Sequence, residues 1–397
     1  MKILVIVGPA LGVLNHTIAL SKLLQIHGHH EVSWITSEQS KAHLKTIGFN
    51  FPCEYSSRYD INFNRQEGGR KPHLQQVCDL TYLGMGVDYE LDIINKLAPD
   101  LIITKHHYSP TISARVARIP YVTYYTDGGE YLLEGRNPQN WNASPELGNN
   151  YREVAKKYGL EFEDVVVTKY LQSPNLNIIR GIPKLSSLSY QEIKNLEPSS
   201  IFGGLLTYDG ENYETLYLPN HLPIVYVTFG TIACNPDRLK MIIETLASLP
   251  VYGVVSSVHI DPVIFGSLPP NICIKRYIPN QDIMKRASLV IHHGGHGTML
   301  SCFSNGVPQI VIPDNPHSSA QEIHAHTVAK LNCGILLAAS TLEKLSLQQA
   351  VVQVLNDSVC KNQSHRLKNI IFNQNKQANN NLLSKINHIK ISLNNRR

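Results

Sequence analysis

Apolar runs of strand length alternate with helix-like segments along the first half of the chain. The run Lys2–Val7 predicts a strand, a loop follows over Gly8–His16, and a helix is predicted from Thr17 because its apolar residues fall on one face. The polar, Gly-, Arg- and Asn-rich segment Ser56–Lys71 is typical of a loop. Further strands of this set are predicted at Glu31–Thr36, Leu101–Thr104 and Tyr121–Thr126.

A second set of the same kind begins at Ile224. Ile224–Phe229 predicts a strand, and the apolar repeat within Asp237–Leu249 predicts a helix. More strands are predicted at Val251–Val255, Ile272–Ile274, Leu289–Ile291 and Gln309–Ile312. Two successive sets of alternating strands and helices indicate two α/β domains, each built on a parallel sheet.

The boundaries of these domains follow from where the periodicity stops. Leu205–Pro223 has little periodicity and several turn residues, so it predicts an interdomain linker. We expect an N-terminal domain over residues 1–205, a linker over 206–223 and a C-terminal domain over 224–365. The sequence from Ser346 onward has a helical pattern, and residues 366–397 are predicted to form a helical tail.

Composition fits an enzyme of this size. A chain of 397 residues with 43% hydrophobic content can bury two substantial cores. No apolar run approaches the ~18–20 residues that span a bilayer, and the start MKILVIVG is too short and too strand-like for a signal peptide. The seven cysteines are scattered, odd in number and never in a Cys-x-x-Cys pair, which favours reduced thiols over a disulfide framework or a zinc site. We therefore expect a cytoplasmic protein.

Charge and histidine content bear on nucleic-acid, membrane and metal binding. The formal net charge of +5 is mild, so no nucleic-acid partner is expected. The basic residues near the end are typical of a solvated tail, with peripheral membrane contact as the alternative. Closely spaced histidines such as His324 and His326 suggest a metal site. However, alternate residues of a helix face different ways, and no Cys or carboxylate stands at zinc-finger spacing. No metal is expected, and nothing in the sequence indicates an oligomeric state.

The most informative segment is HHGGHGT, from His292 to Thr298, between an apolar run and a helix-like run. A short buried strand, a Gly-rich turn and a helix N-terminus place free main-chain N–H groups around one point, where they can hold a diphosphate. Glycines such as Gly295 and Gly297 let phosphate oxygens approach the main chain. Thr298 is expected to cap the helix and donate its hydroxyl, and His293 to give a charge-assisted hydrogen bond.

HHGGHGT followed by GVPQIVIP, from Gly306 to Pro313, closely resembles the donor-site motif of nucleotide-sugar-dependent glycosyltransferases with the GT-B fold. This family includes plant and mammalian UDP-glycosyltransferases and bacterial antibiotic glycosyltransferases. The resemblance implies two Rossmann-like parallel-sheet domains facing a cleft, with the last helix crossing back to the first domain. It also implies a UDP- or dTDP-sugar as co-substrate, no other cofactor, and a small-molecule acceptor in the N-terminal domain.

The resemblance extends to the base of the nucleotide. Gly230-Thr231 resembles the turn that closes over the diphosphate, although Thr231 is also compatible with an ordinary turn. Tyr277 matches the aromatic residue that stacks on uracil or thymine, and Ile278 lies in the main chain that bonds the base edge. Without the resemblance, Tyr277 would be interpreted as a core tyrosine at the end of a strand.

The catalytic positions depart from the family pattern. Val13 stands where the family has its general-base histidine, and Lys105 where it has the aspartate that orients this base. His16 is a candidate substitute base, or a histidine at the start of a helix that packs on the sheet. His106 and His107 are further candidates, or solvent-facing polar residues. An acceptor that is already ionised would need no base, and Lys105 would then help to hold it.

The sugar-binding loop also departs from the pattern. Family members usually carry Asp or Glu followed by Gln, and both side chains bond sugar hydroxyls. Here Gln321 matches, while Ala320 replaces the carboxylate. Either Glu322 takes its place or the sugar has fewer hydroxyls, as a deoxy sugar does. Glu322 also fits a plain first-turn residue that interacts favourably with the helix dipole.

These observations predict a metal-independent, inverting glycosyltransferase that moves a sugar from a UDP- or dTDP-sugar to a small, largely apolar, natural product-like acceptor. A nucleotide-sugar epimerase of the same fold is one alternative, but it needs carboxylates near the anomeric carbon that are not found here. A non-catalytic nucleotide-sugar-binding subunit that assists a partner enzyme is another, because the His–Asp pair is missing.

Overall fold

The computed structural model describes most of the chain, in two compact units. The described residues are 1–7, 11–36, 55–56, 79–105, 108–127, 145–162, 172–208, 216–230, 235–257, 260–278, 280–313 and 319–394. The first unit comprises Met1–Pro183, Leu188–Tyr208 and Gln377–Arg397, and the second comprises Lys184–Ser187 and Asp209–Lys376. The predicted domain and linker bounds remain predictions.

The first unit is built on a seven-stranded sheet in the order β3-β2-β1-β4-β5-β6-β7, with every described pair of neighbours parallel. Its strands are β1 Lys2–Val7, β2 Glu31–Thr36, β3 Tyr55–Ser56, β4 Leu101–Lys105, β5 Tyr121–Tyr125, β6 Leu176–Ile179 and β7 Ser200–Phe202. Its helices are α1 Leu11–Ile26, α2 Leu80–Leu97, α3 Ser109–Val116, α4 Pro145–Lys157 and α5 Tyr190–Lys194. The direction of strand addition reverses between β1 and β4, which makes that point the switch point of the sheet.

The second unit is built on a six-stranded sheet in the order β10-β9-β8-β11-β12-β13, again with parallel described pairs. Its strands are β8 Ile224–Thr228, β9 Tyr252–Ser256, β10 Ile272–Lys275, β11 Ala287–His292, β12 Gln309–Val311 and β13 Gly334–Leu336. The helices that follow β8 are α6 Pro236–Ala247, α7 Asn280–Met284, α8 His296–Asn305, α9 Ser319–Lys330, α10 Lys344–Asn356 and α11 Ser358–Asn394. The switch point lies between β8 and β11.

Local sequence sets several helix boundaries. Asn235 caps α6 through its side chain, which accepts hydrogen bonds from the N–H groups of Asp237 and Arg238, and Pro236 occupies the first turn. Asp79 caps α2 in the same way by accepting from the N–H of Tyr82 at 2.8 Å. These caps satisfy N–H groups that a helix leaves without partners, so the chain turns into each helix at these residues.

The strands pack as their composition requires. β8 and β11 lie in the middle of the second sheet, and all five residues of β8 are buried. On α10, Leu347, Val351 and Val354 are buried at helical spacing and pack on this sheet. No helix in the described part of the chain is long and apolar enough to cross a membrane.

Helix α1 and four short strands differ from the sequence-based expectation. Helix α1 begins at Leu11 rather than Thr17, so the predicted loop up to His16 was wrong. The reason is that Leu14 and Ile18 are both buried, which extends the apolar face of the helix one turn earlier. Strands β3, β6, β7 and β13 were not predicted, because runs of two to four residues carry little periodic signal.

A buried carboxyl group joins α2 and α3 in the first unit. Glu90 accepts hydrogen bonds from the hydroxyls of Ser109 at 2.6 Å and Ser113 at 2.5 Å. Burial raises the pKa of Glu90 to about 8, although the two serine hydroxyls act in the opposite direction. Glu90 is therefore mainly protonated at neutral pH.

Candidate functional site

The switch point of the second unit brings the ends of two strands together. Thr228 at the end of β8 lies beside His292 at the end of β11 and beside Ser256 at the end of β9. Parallel α/β sheets bind ligands outside the carboxyl ends of their strands, at this kind of crevice. The HHGGHGT segment therefore leaves the sheet where a ligand is expected.

His292 shapes the turn that follows β11. Its Nδ1 accepts a hydrogen bond from the N–H of Gly294 at 3.1 Å, and its Nε2 lies 2.9 Å from Oε1 of Gln309. Burial, with smaller contributions from His293 and His324, lowers the pKa of His292 to about 3, so the ring is neutral. One of the N–H groups expected to face a phosphate is thus bonded to His292 instead.

Gly294 occupies a position that only glycine fits. Its φ is +88°, and a Cβ there would lie 2.6 Å from the main-chain oxygen of Gln321. Both the left-handed conformation and the close approach of α9 exclude a larger side chain. The glycine of the motif therefore packs the start of α9 directly against the turn.

His293 lies between two glycines that belong to different loops. A Cβ on Gly230, which follows β8, would lie 2.7 Å from Cε1 of the His293 ring, and one on Gly295 would lie 2.8 Å from Nε2. Burial lowers the pKa of His293 to about 4, while the Thr228 carbonyl favours a proton on the ring and His324 opposes it. A ring with this pKa is neutral near pH 7, and the expected charge-assisted hydrogen bond to a phosphoryl oxygen would then take its charge from the phosphate.

The N-terminus of α8 provides donors for an anion. Gly295 is the N-cap residue and carries no side-chain cap, and the N–H groups of His296, Gly297 and Thr298 lie in the first turn, where a helix offers them no acceptor. Thr298 is thus not the cap, contrary to expectation, because the helix begins at His296. The partial positive charge at this end of α8 favours a negatively charged group.

The base-binding candidates lie on the same edge of the sheet. Tyr277 follows β10 by two residues and is 39% exposed, so it is not a core tyrosine. Ile278, next to it, is buried. Arg276 forms an ion pair with Asp261, which joins this segment to the turn after β9. An exposed aromatic ring at this edge is available to stack on a base.

The sugar-binding candidates lie in the first turn of α9. Ala320 and Glu322 are exposed, whereas Gln321 is buried against Gly294 through its main chain. The structure therefore brings Gln321 into contact with the HHGGHGT turn. Three residues further along α9, His324 contacts the same turn, with its Nδ1 2.7 Å from the carbonyl oxygen of Gly294. The sequence reasoning assigned no role to His324, although its spacing from Gln321 places both on one helical face.

The catalytic candidates of the first unit form a buried cluster. His16 lies inside α1 and is 2% exposed, and Nη1 of Arg180 lies 3.3 Å from its Nδ1. An arginine only donates, so Nδ1 of His16 is the acceptor and its proton is on Nε2. In this arrangement, the ring nitrogen that would take a substrate proton is already bonded to Arg180.

Lys105 belongs to the same cluster. It ends β4, is 1% exposed, and donates from Nζ to the carbonyl oxygen of Tyr124 at 3.2 Å. Its Nζ lies 5.3 Å from the centroid of the Tyr124 ring, and the His16 ring lies 5.0 Å from the same ring. The structure thus brings His16 and Lys105 together around Tyr124, inside the unit.

Three of the predicted site residues, His106, His107 and Thr231, lie outside the described residues, as does the side chain of Val13. Within the described ranges, no group of three or more His, Cys, Asp or Glu side chains is arranged to hold a metal ion. His324 is buried and His326 is exposed, as expected for alternate residues of a helix.

Comparisons with known proteins agree with the geometry of the second unit. Residues 255–379 match the family model of the erythromycin biosynthesis protein CIII-like C-terminal domain. A PGL/p-HBAD biosynthesis rhamnosyltransferase of Mycobacterium bovis (strain BCG / Pasteur 1173P2) is 26% identical over 304 residues, which cover 71% of this chain and 66% of that relative. The match thus spans just under two thirds of the relative's length.

Two solved structures match nearly the whole chain. The calicheamicin glycosyltransferase CalG4 has a TM-score of 0.74 and 20% identity, over 97% of this chain and 98% of that chain. The glycosyltransferase SsfS6 of Streptomyces sp. SF2575, complexed with thymidine diphosphate, has a TM-score of 0.67 and 21% identity, over 98% and 99%. This chain has the GT-B fold. The predicted fold class and the resemblance to glycosyltransferases are confirmed.

The match to the C-terminal domain model runs from the end of β9 into α11, so it includes β11, α8 and α9 but not β8 or Gly230. The cluster around Tyr124 lies outside the matched residues.

Proposed function

We propose that the protein is a glycosyltransferase that moves a sugar from a UDP- or dTDP-sugar to a small, largely apolar acceptor with inversion at the anomeric carbon. The observation that carries this proposal is the turn at the β8/β11 switch point, where Gly294 adopts φ +88° and α8 begins without a side-chain cap. A diphosphate is the ligand class that such a turn and helix N-terminus favour. The thymidine diphosphate complex of SsfS6 supports the same ligand class.

In this reaction an acceptor oxygen forms a bond to the anomeric carbon while the bond from that carbon to the diphosphate breaks. Attack in line with the leaving group inverts the configuration. The negative charge that develops on the diphosphate would be stabilised by the first-turn N–H groups of α8, beginning at His296, and by the ring of His293. These donors act without a metal ion, so we propose that none is required.

The reaction also needs a general base if the attacking oxygen of the acceptor carries a proton. Nδ1 of His16 accepts a hydrogen bond from Arg180. We therefore propose that His16 holds its neighbours Arg180 and Tyr124 in position and is not the general base. Lys105 then contributes positive charge within the same cluster. An acceptor that is ionised at neutral pH remains the simplest chemistry that needs no base.

The sugar is proposed to be a deoxy sugar. Ala320 offers no hydrogen-bond acceptor from its side chain, so a hydroxyl that other members bind with a carboxylate has no partner at this position. Rhamnose is a deoxy hexose, and the Mycobacterium bovis relative is described as a rhamnosyltransferase. Gln321 is proposed to bond the hydroxyls that remain, from its place beside Gly294.

A donor screen tests the proposal. Purified protein is incubated with a panel of UDP- and dTDP-linked sugars, and nucleotide binding and slow donor hydrolysis are measured without any acceptor. We expect binding of at least one nucleoside diphosphate and release of that diphosphate from a matching donor. Absence of binding to every member of the panel would contradict the proposed function.

A second candidate is a non-catalytic subunit that binds a nucleotide sugar and assists a partner enzyme. The contact between Arg180 and His16 favours it, because it leaves no lone pair on Nδ1 for base catalysis. Hydrolysis separates the two functions. A binding subunit would hold the nucleotide sugar intact, whereas an enzyme would release the diphosphate.

A further inference from the structure

His324 contacts the HHGGHGT turn at Gly294. The sequence did not assign it to the site. It is buried in α9, and its Nδ1 lies 2.7 Å from the carbonyl oxygen of Gly294. A carbonyl oxygen only accepts, so Nδ1 of His324 carries the proton and donates it. A hydrogen bond of this length between buried groups fixes the orientation of the peptide that it contacts.

The orientation of this peptide decides where the next N–H points. In a trans peptide the C=O and the following N–H point in opposite directions. Because His324 binds the carbonyl of Gly294, the N–H of Gly295 points away from α9. Gly295 is the N-cap of α8 and borders the ring of His293 through Nε2. That N–H is therefore directed toward the region bounded by His293 and the start of α8.

The preceding peptide is fixed as well. The N–H of Gly294 is bonded to Nδ1 of His292, so Gly294 is held by a histidine at its N–H and by another at its carbonyl. Without a Cβ and at φ +88°, this residue has wide conformational freedom, and both contacts restrict it. The two histidines thus hold a flexible residue in one conformation before any ligand binds.

The ring of His324 is itself held in place by a neighbour. It stacks on His296, with ring centroids 4.9 Å apart and an interplanar angle of 24°. His296 is the first residue of α8, so the stack links α9 to the same helix N-terminus. Removal of the stack is expected to loosen the orientation of His324 without removing its hydrogen bond.

We infer that His324 is a positioning residue that preorganises the diphosphate site by fixing the Gly294–Gly295 peptide. This inference rests on the proposed function, since it names what orients the donors of the same site. The role is distinct from ligand binding, because the ring lies on the carbonyl side of the peptide and its Nδ1 proton is already donated. Preorganised donors bind an anion more tightly because less order is lost on binding.

The test compares His324→Leu, which removes the donor, with His324→Asn, which keeps a side-chain N–H near the same carbonyl. The probes are uridine and UDP, and thymidine and dTDP, with affinities measured by calorimetry. His324→Leu should lower the affinity for the diphosphates by about 10-fold and change the affinity for the nucleosides by less than about two-fold. This is the result expected for a defect confined to the phosphate contacts. His324→Asn should recover part of the loss.

Two further variants separate positioning from general damage. His326→Leu changes an exposed histidine on the same helix and should leave both affinities unchanged. His296→Ala keeps His324 and removes the stack, and should weaken diphosphates by less than His324→Leu does. Thermal unfolding of every variant shows whether each is folded. If His324→Leu does not fold, the His324→Asn and His296→Ala variants carry the test through the same ratio.

A diphosphate-to-nucleoside affinity ratio that stays at the wild-type value in folded His324→Leu would overturn the inference, and so would equal weakening of both ligands. If His324→Leu does not fold, the same ratio in His324→Asn and His296→Ala decides. Either result leaves the proposed function intact, because wild-type binding of UDP or dTDP is measured in the same series. Absence of that wild-type binding would overturn both.

Discussion

The two units have the same kind of switch point but fill it with opposite chemistry. At the β8/β11 switch point the chain places glycines and main-chain N–H groups, and an exposed tyrosine follows β10 at the same edge of the sheet. Beside the β1/β4 switch point, Lys105 and His16 are buried, and both contact Tyr124. Main-chain donors are available to a ligand as soon as the turn forms. The buried side chains already have partners inside the unit, so they can take part in catalysis only if a substrate replaces those contacts.

The sharpest way to break this contrast is to disturb the glycine turn. Gly294→Ala places a Cβ 2.6 Å from the main-chain oxygen of Gln321 at a φ of +88°. The clash and the left-handed strain shift the turn and misalign its donors, so UDP or dTDP affinity should fall by about 100- to 1,000-fold. Gly84→Ala is the matched control, because a Cβ there meets nothing within 4 Å. Retained affinity in Gly294→Ala would mean that the turn does not form the site.

The interior of the first unit can be tested through Glu90. Its pKa is raised from 4.5 to about 8, so the folded state holds a proton that the unfolded state releases. The associated stability is present below pH 4.5 and is lost as pH rises toward 8. Glu90→Gln should remove a pH dependence on the order of 2–4 kcal/mol, seen in urea unfolding of both proteins from pH 5 to pH 8.5. Glu153→Gln, at an exposed position, is the control. Parallel pH curves for wild type and Glu90→Gln would show that the carboxyl is not perturbed.

Substitution of His293 tests whether its ring contacts the diphosphate. His293→Ala should weaken UDP or dTDP binding by about 10- to 100-fold, since one hydrogen bond to a charged group is lost. Tyr277→Ala is the contrasting variant, because contact with the base predicts equal weakening of UMP and UDP. Unchanged diphosphate affinity in His293→Ala would remove the ring from the site.

His293 also predicts a pH effect on binding. In the unliganded protein its pKa is lowered to about 4, and a bound diphosphate raises it. A group whose pKa rises on binding takes up a proton, so affinity should increase as pH falls. Calorimetry of nucleotide binding at about pH 5.5, where a ring whose pKa rises from about 4 takes up most of its proton, measures this uptake in two buffers of different ionisation enthalpy, and His293→Ala should reduce it. Equal uptake in wild type and variant would assign the proton to another group.

Sugar choice tests whether the exposed start of α9 faces the donor. Ala320→Asp should shift preference toward fully hydroxylated sugars by about 1–3 kcal/mol if the carboxylate meets a buried hydroxyl. The measurement is the ratio of kcat/KM for UDP-glucose and for a deoxy-sugar donor. Gln321→Ala is the internal control and should impair every hexose donor. A ratio that does not change would mean that residue 320 does not face the sugar.

The smallest effect is expected on the acceptor side. His16→Asn keeps an acceptor for Arg180, so kcat should fall by less than about 10-fold if the histidine only positions its neighbours. General base catalysis contributes about 10²- to 10⁴-fold, so a loss of that size with unchanged donor affinity would identify His16 as the base after all. The comparison between the two switch points would then need to be revised.

The sequence predicted the strand, turn and helix of the candidate donor site because these features are local. The HHGGHGT turn, the strand before it and the helix after it form one continuous segment, and their geometry follows from glycine and strand–helix alternation. Buried strands such as β1 and β8 were visible as apolar runs for the same reason.

Contacts between distant segments were not visible in the sequence. Arg180 meets His16 across 164 residues, and His324 meets Gly294 across 30, and neither pair leaves a periodic or motif signal. The lowered pKa of His293 is not visible in the sequence for a related reason, because desolvation depends on what surrounds the ring after folding. Local sequence therefore predicted the turn and the helix start of the candidate anion site, but not the distant side chains that contact them.

Helix α9 carries the proposed sugar contact at Gln321 and the peptide-fixing histidine at His324, one turn apart on a single rigid element. Changes that re-aim this helix to admit a new sugar also move the group that orients the Gly294–Gly295 peptide. Engineering of donor choice in this protein should therefore exchange α9 as a block, together with its partner His296 on α8, so that sugar recognition is altered while the phosphate site keeps its alignment.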